Sequence, residues 1–315
     1  MKLIFPNYNN TKLTIGGCCT VRRIENCSQQ LFYLITIGEF MKTLYISDLD
    51  GTLLQPNVEL SEKSIKILNE LMSQGMLFSV ATARTIASVK PILTKLAISV
   101  PIVLMNGVCI YDLHKNDYIK VETFPRESID LLMEVIRNNH LKGFAYTIKN
   151  GVMSTYYEDL NNKALKDFYQ ERVDRYQKKF IQIDDFTSLS KEPLIYFSLL
   201  DQKKNLEPIY HILEAIPDLN CVFYKDNYSP DLWYLETYSN TASKYHAVQF
   251  LRSYLNLDKI VCFGDNRNDL PLFEASDHKI AVGNAVTDLK AKADLIIGNN
   301  YEDGVASWLE QNVTF

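Results

Sequence analysis

The chain has 315 residues, 47% of them apolar and 23% charged, with a formal net charge of −5. That balance belongs to a globular protein in water. It excludes a disordered chain, and the acidic charge argues against a nucleic-acid binder, which needs a basic surface. At roughly 100–200 residues per domain, the length predicts two domains.

Residues 1–40 carry three of the six cysteines (Cys18, Cys19 and Cys27, with Cys109, Cys221 and Cys262 further on) and show no clear amphipathic period. The cysteines lack CxxC or Cys/His ligand spacing, so neither structural zinc nor a disulfide framework is expected, and a reducing compartment is. The apolar run Leu31–Ile37 is far short of the roughly 20 residues a bilayer requires. The opening turns polar at Pro6, unlike a signal peptide. A cytoplasmic protein with no membrane partner is expected.

From Met41 the text becomes regular. Thr43–Ser47 reads as a buried strand, and Ser61 caps a helix through Met72 whose face is Ile65, Leu68 and Met72, with Gly75 as its stop. Leu77–Ala81 and Ile102–Met105 are further strands. Strand, helix and strand with short links predict a doubly wound, mostly parallel α/β sheet. The middle reads as a separate α+β unit. It has helices at Ser128–His140 (apolar side Leu131, Leu132, Val135, Ile136), Ala164–Lys178 and Leu206–Ala215. Its strands are Phe144–Thr147, Leu194–Leu200, Cys221–Tyr224 and Trp233–Glu236. After Ser239 the first rhythm returns, with a helix at Ser243–Leu255 and strands at Lys259–Phe263 and Lys279–Val282. The middle unit is therefore an insert that splits one α/β domain.

Chemistry concentrates at the ends of the predicted strands. Asp48-Leu49-Asp50-Gly51-Thr52 places two carboxylates in the crevice where open α/β sheets bind ligands. Asp is a competent nucleophile towards phosphoryl groups, and a second carboxyl can act as acid and base. Gly51 permits a sharp turn, although Asp and Gly also make ordinary solvated turns. Gly264-Asp265-Asn266-Arg267-Asn268-Asp269 repeats the pattern. Crowded carboxylates need a compensating cation, for which Mg²⁺ suits oxygen ligands, with Asp48 and Asp265 the natural pair. The same residues are also common helix caps. Thr82 follows a strand, at an anion site or a simple cap. Lys244 opens a helix, where a cation is slightly unfavourable unless an anion needs it. The histidines (His114, His140, His211, His246, His278) are scattered and read as surface or satisfied residues. Tyr156, Tyr157, Phe223, Tyr224 and Trp233 read first as core of the insert.

The order of these features resembles the haloacid dehalogenase superfamily, and more narrowly its Cof-like branch (subfamily IIB). Asn106-Gly107, Gly283-Asn284-Ala285 and Glu302-Asp303-Gly304-Val305-Ala306 match that branch too, and the likeness runs from Met41 to about Leu309. It implies a Rossmann-like core at 41–121 and 239–315, an α/β cap at 122–238, and an N-terminal extension at 1–40 outside the fold. Gly38-Glu39 can be encoded GGAGAA, which resembles a ribosome-binding site ahead of a Met41 start codon. Residues 1–40 are thus expected to be an upstream in-frame translation, with a vector remnant as the alternative.

The resemblance implies a phosphatase in which Asp48 is the nucleophile and Asp50 the general acid/base. Thr82, Lys244 and Asn268 hold phosphate. Mg²⁺ sits on Asp48, the Asp50 backbone carbonyl and Asp265, with Gly51 and Asp269 in support. The expected substrate is a small phosphorylated metabolite such as a sugar phosphate, and the chain a monomer or small homo-oligomer. Two departures stand out: Ala83 where Gly is commoner, and Tyr245 after Lys244, which could crowd the site. A phosphomutase or phosphotransferase, and a non-catalytic binding protein, are the alternatives.

Overall fold

A computed structural model describes residues 41–226 and 231–315, and the backbone of three N-terminal strands. Those strands, β1 (Thr11–Ile15), β2 (Cys19–Glu25) and β3 (Leu31–Ile37), pair antiparallel in a sheet that shares no strand with any other. The expectation that residues 1–40 stand outside the fold otherwise concerns side chains and segments beyond those described.

The core sheet begins with β4 (Thr43–Ser47). It continues through α1 (Glu62–Ser73), β5 (Leu77–Val80), α2 (Ile86–Leu93) and β6 (Ile102–Leu104), to which β7 (Cys109–Asp112) and β8 (Asp117–Val121) add in antiparallel sense. The inserted unit follows. It comprises α3 (Arg126–Asn138), β9 (Phe144–Lys149), β10 (Val152–Tyr157), α4 (Lys163–Tyr176), β11 (Ile181–Gln182), β12 (Leu194–Asp201), α5 (Lys203–Glu214), β13 (Leu219–Lys225) and β14 (Trp233–Ser239). The core resumes with α6 (Lys244–Leu255), β15 (Lys259–Gly264), α7 (Leu270–Glu274), β16 (His278–Ala281), α8 (Thr287–Lys290), β17 (Leu295–Ile296) and α9 (Gly304–Asn312).

Five strands make the parallel core sheet in the order β17-β16-β15-β4-β5. A parallel bridge, Ala81 to Val103, ties β6 to its edge. Leu44, Ile46, Ile260 and Phe263 are fully buried, because helices cover both faces of such a sheet. From β4 the chain winds outward one way through β5 and β6, then returns to add β15, β16 and β17 on the other side. The crevice at the C-terminal ends of β4 and β15 is therefore the topological switch point, where open α/β sheets take ligands.

Two helix faces differ from the sequence expectation. In α1 the Ser61 hydroxyl accepts from the Ser64 N–H at 2.9 Å, as a cap should, but the buried face is Ser64, Ile67, Leu68 and Leu71. Ile65 and Met72 are only half-buried. In α3 the buried residues are Ile129, Leu132, Met133 and Ile136, and Leu131 is 43% exposed. Both apolar stripes are wide enough to dock in more than one rotation, and the neighbouring elements choose which.

The inserted sheet runs β11-β10-β9-β12-β14-β13, antiparallel except for β10 with β11. β9 and β10 turn through Asn150 and Gly151, both at positive φ (53° and 74°), the backbone of a tight hairpin. β12 is buried from Leu194 to Leu200 between its two neighbours. α3 contacts α5, and α5 lies on β12, β13 and β14. α4 packs on β9 through stacked Phe144 and Phe168, and reaches α2 of the core.

Candidate active site

The chain leaves β4 at Asp48 and bends at once. Gly51 takes φ 78°, which a side chain would resist, while Leu49, Leu53 and Leu54 dive into the core. Two asparagines from the last third of the chain hold this bend. Asn284 Nδ2 donates to the Gly51 carbonyl at 2.7 Å, and Asn300 Nδ2 to the Leu54 carbonyl at 2.8 Å. The Asn300 N–H donates to Asn284 Oδ1 at 2.9 Å, closing the belt.

Asp48 is 4% exposed and Lys244 1%. Lys244 Nζ donates to Asp48 Oδ1 and to Asp269 Oδ1, both at 2.6 Å. Ser243 caps α6 and fixes where Lys244 starts. The Asn106-Gly107 turn presses against that point. Gly107 lies at φ 101°, and a Cβ there would fall 2.1 Å from the Ser243 carbonyl oxygen, so only glycine allows the approach. Asp269 is fully buried, and its Oδ2 accepts the N–H groups of Asp265 (2.9 Å) and Asn266 (3.2 Å). Asp265 in turn accepts from Thr52 Oγ1 at 2.8 Å.

The carboxylates of Asp48, Asp265 and Asp269 offer oxygens within 4.8 Å of one another. Burial pushes the Asp48 carboxyl up to about 7, with Asp269 and Asp50 adding and Lys244 opposing. Asp265 is driven well up by burial and by its two acidic neighbours. Burial disfavours the charged form of Lys244, but Asp269 and Asp48 outweigh it and hold the ammonium charged. One buried cation thus faces three crowded carboxylates, an all-oxygen set short of positive charge that fits a hard divalent ion. Both oxygens of Asp269 are already engaged, one by Lys244 and one by two backbone N–H groups.

Thr82 is buried on the cavity side of the crevice. Its Oγ1 accepts the Arg84 N–H at 3.2 Å, which leaves the hydroxyl hydrogen to donate elsewhere. Asn268 lines the same cavity, and its Nδ2 reaches Asn106 Oδ1 at 3.4 Å. Asp48, Asp50, Thr82, Lys244, Asp265, Asn268 and Asp269 therefore all converge on one crevice. Tyr245 does not obstruct it, being 37% exposed on the outer side of α6 against the His246 ring.

Sequence reasoning gave no role to two features. Arg84 grips both oxygens of Asp50 at 2.6 Å, from Nε and from Nη2. Its Nη1 donates to the hydroxyl of Tyr176 in α4 at 3.0 Å, so it joins Asp50 to the inserted unit. The Arg two positions after Thr82 was visible in the sequence, but its partner was not. The second feature is Glu236, buried on β14. It accepts from Asn106 Nδ2 at 2.9 Å and from the Tyr224 hydroxyl at 3.1 Å. Burial lifts its carboxyl to about 7 against the hydrogen bonds from Tyr196, Tyr224 and Asn106. Tyr224, read first as core, thus faces the cavity, whereas Phe223 stacks between Tyr210 and Trp233.

The inserted unit roofs the crevice over a cavity of about 910 Å³ that reaches from Asp48 and Thr82 to Tyr146, Lys178, Tyr224 and Tyr234. A buried carboxylate bonded to a fixed ammonium, beside a cluster of oxygen donors and under a roof of this size, suits a phosphatase for small phosphomonoesters. A family model for haloacid dehalogenase-like hydrolases matches residues 45–309. The chain belongs to that family, in its Cof-like branch.

Among curated relatives, it is 28% identical to the phosphatase YwpJ of Bacillus subtilis, over 86% of this chain and 99% of that one. It is 24% identical to the pyridoxal phosphate phosphatase YbhA of Escherichia coli, over 83% and 95%. Among solved structures, TM0651 from Thermotoga maritima superposes with a TM-score of 0.70 at 28% identity, covering 87% of this chain and 99% of that one. Among the described residues no helix is long and apolar enough to cross a membrane.

Proposed function

We propose that the protein is a Mg²⁺-dependent phosphatase that hydrolyses small phosphomonoesters, of the size of sugar phosphates, through an aspartyl-phosphate. The observation that carries this reading is Asp48 held at 2.6 Å by a buried lysine at the switch point of the sheet, beside Asp265 and beneath a roof. The name of the relative that acts on pyridoxal phosphate, itself a small phosphomonoester, supports the same size class.

In the first step an Asp48 carboxylate oxygen attacks phosphorus in line, the P–O bond to the alcohol breaks, and Asp50 gives its proton to the leaving oxygen. In the second step Asp50 takes a proton from water, the water oxygen attacks phosphorus, and inorganic phosphate leaves with Asp48 restored. Lys244, Thr82 and Asn268 hold the phosphoryl oxygens, and preorganised donors of this kind stabilise the charge that develops there. Asp269 positions Lys244, and Arg84 positions Asp50. Mg²⁺ would be held by Asp48, Asp265 and the Asp50 carbonyl, and when bound it supplies positive charge to the phosphoryl oxygens. The roof excludes bulk water and limits substrate size. Residues 1–40 take no part.

The test is phosphate release from an aryl phosphate and a panel of sugar phosphates, with Mg²⁺ and with chelator. Metal-dependent release that sugar acceptors do not divert supports a hydrolase. Transfer to the acceptor without net phosphate release would make it a mutase.

A further inference from the structure

The wall that the inserted unit gives to the cavity contains a buried lysine, Lys178. α4 ends through Gln177 in the left-handed region (φ 50°), and the Lys178 N–H donates back to the Arg172 carbonyl at 3.1 Å. That turn carries the Lys178 side chain beneath the sheet, where the residue is 9% exposed and lines the cavity. Its ammonium lies 4.7 Å from the Tyr146 ring centroid and 5.0 Å from that of Phe180.

Among the described residues, Lys178 has no carboxylate within ion-pair distance and no hydrogen bond from its ammonium. The other cations around the crevice are matched: Lys244 by Asp48 and Asp269, Arg84 by Asp50, Lys163 by Asp167, and Arg172 by Glu171. The charge that Lys178 does feel is of its own sign. Burial first, and then Arg172, hold its ammonium well below the ordinary lysine range. None of the cavity's carboxylates offsets this. An unpaired buried cation is unfavourable for folding, and its cost is removed when a ligand brings the counter-charge.

We propose that Lys178, with Arg172 beside it, forms an anion subsite that receives a second negatively charged group, carboxylate or phosphate, on the leaving portion of the substrate. This rests on the phosphatase reading, because a phosphoryl group held at Asp48 directs the rest of the substrate into the cavity that Lys178 lines. A neutral hydroxyl would satisfy Lys178 alone. Arg172, whose own partner Glu171 is nearly half exposed, adds positive charge to the corner that Lys178 lines. The tyrosine faces of Tyr146 and Tyr234 flank that corner and suit a flat or apolar spacer between the two anionic ends.

The experiment compares phenyl phosphate, 4-carboxyphenyl phosphate and benzene-1,4-diyl bisphosphate as substrates of the full chain with Mg²⁺. The wild type is expected to favour one or both of the doubly anionic esters in kcat/KM by roughly 10- to 100-fold, mainly through KM. The arm that wins distinguishes carboxylate from phosphate. Lys178→Met should bring that ratio close to one, and Lys178→Arg should restore most of it. Because the Met variant removes an unpaired buried charge, it should melt no lower than the wild type, which keeps a folding defect from imitating the result. A wild-type ratio near one, or a ratio that Lys178→Met leaves unchanged, overturns the subsite.

Calorimetry with the same three esters on Asp48→Asn protein separates the two readings. Charge-selective binding lost in the Lys178→Met background, with no turnover by the wild type, keeps the subsite and refutes the phosphatase. Turnover without charge selectivity does the reverse.

Discussion

Glu236→Gln should stabilise the protein, and by an amount that depends on pH. The carboxyl lies on β14, 6% exposed, and accepts hydrogen bonds from Asn106 and Tyr224. Its ordinary value is 4.5, and burial lifts it to about 7 in the folded protein. Between those two values the unfolded chain has released the proton and the folded chain keeps it, so the group's contribution to stability falls as pH rises from about 4.5 to about 7. At about 1.4 kcal/mol per pH unit, the loss is on the order of 3 kcal/mol when complete. Glutamine keeps a carbonyl oxygen for the same donors and never ionises. The variant should match the wild type near pH 4.5 and exceed it by about 3 kcal/mol at pH 8, with the gap opening between. Urea melts of both proteins across that range measure it. Curves that stay parallel in pH would refute the reasoning, and a variant that loses ground to the wild type as pH rises would show that the carboxyl's charged form is the favoured one.

Lys244→Met leaves the buried Asp48 and Asp269 uncompensated, and is expected to cost about 3–5 kcal/mol by denaturant melts and to abolish phosphate release. Arg84→Ala removes the two-pronged grip on Asp50 and should lower kcat/KM roughly 10- to 100-fold, while Tyr176→Phe, which removes one neutral partner of Arg84, should have a much smaller effect in the same assay. Deleting residues 1–40, whose strands pair only among themselves, should leave phosphate release and the melting temperature of the remainder intact.

The parts of the site that could be read from the sequence are those the chain places together. Asp48 with Asp50, and Asp265 with Asp269, each sit within a few residues of a strand end, and a strand entering a turn leaves a local pattern. The parallel core was legible for a similar reason: Ile260 to Phe263 is a short apolar run buried on both faces, and Leu44 and Ile46 are fully buried on the neighbouring strand. Asp50 and Arg84 lie 34 positions apart, and Asn106 and Glu236 lie 130 apart, so those pairs exist only after folding. Lys178 reads in the sequence as the last residue of the helix predicted at Ala164–Lys178, and nothing local marks a lysine that the next turn will bury. The β9–β10 hairpin is different. Asn150-Gly151 is a turn signal in its own right, and β10 was overlooked because Val152–Tyr157, half-buried, lacks a strong apolar run. Helix rotation in α1 and α3 was misjudged because the stripe's width, not its centre, is what sequence reports.

The central claim is that Asp48 itself carries the phosphoryl group. Acid quench of the working protein with Mg²⁺ and an aryl phosphate, followed by mass spectrometry of its peptides, tests this directly. The account predicts a phosphoryl adduct on the peptide bearing Asp48, and in Asp48→Asn neither adduct nor phosphate release. Undiminished release by Asp48→Asn, or an adduct on another side chain, would contradict it.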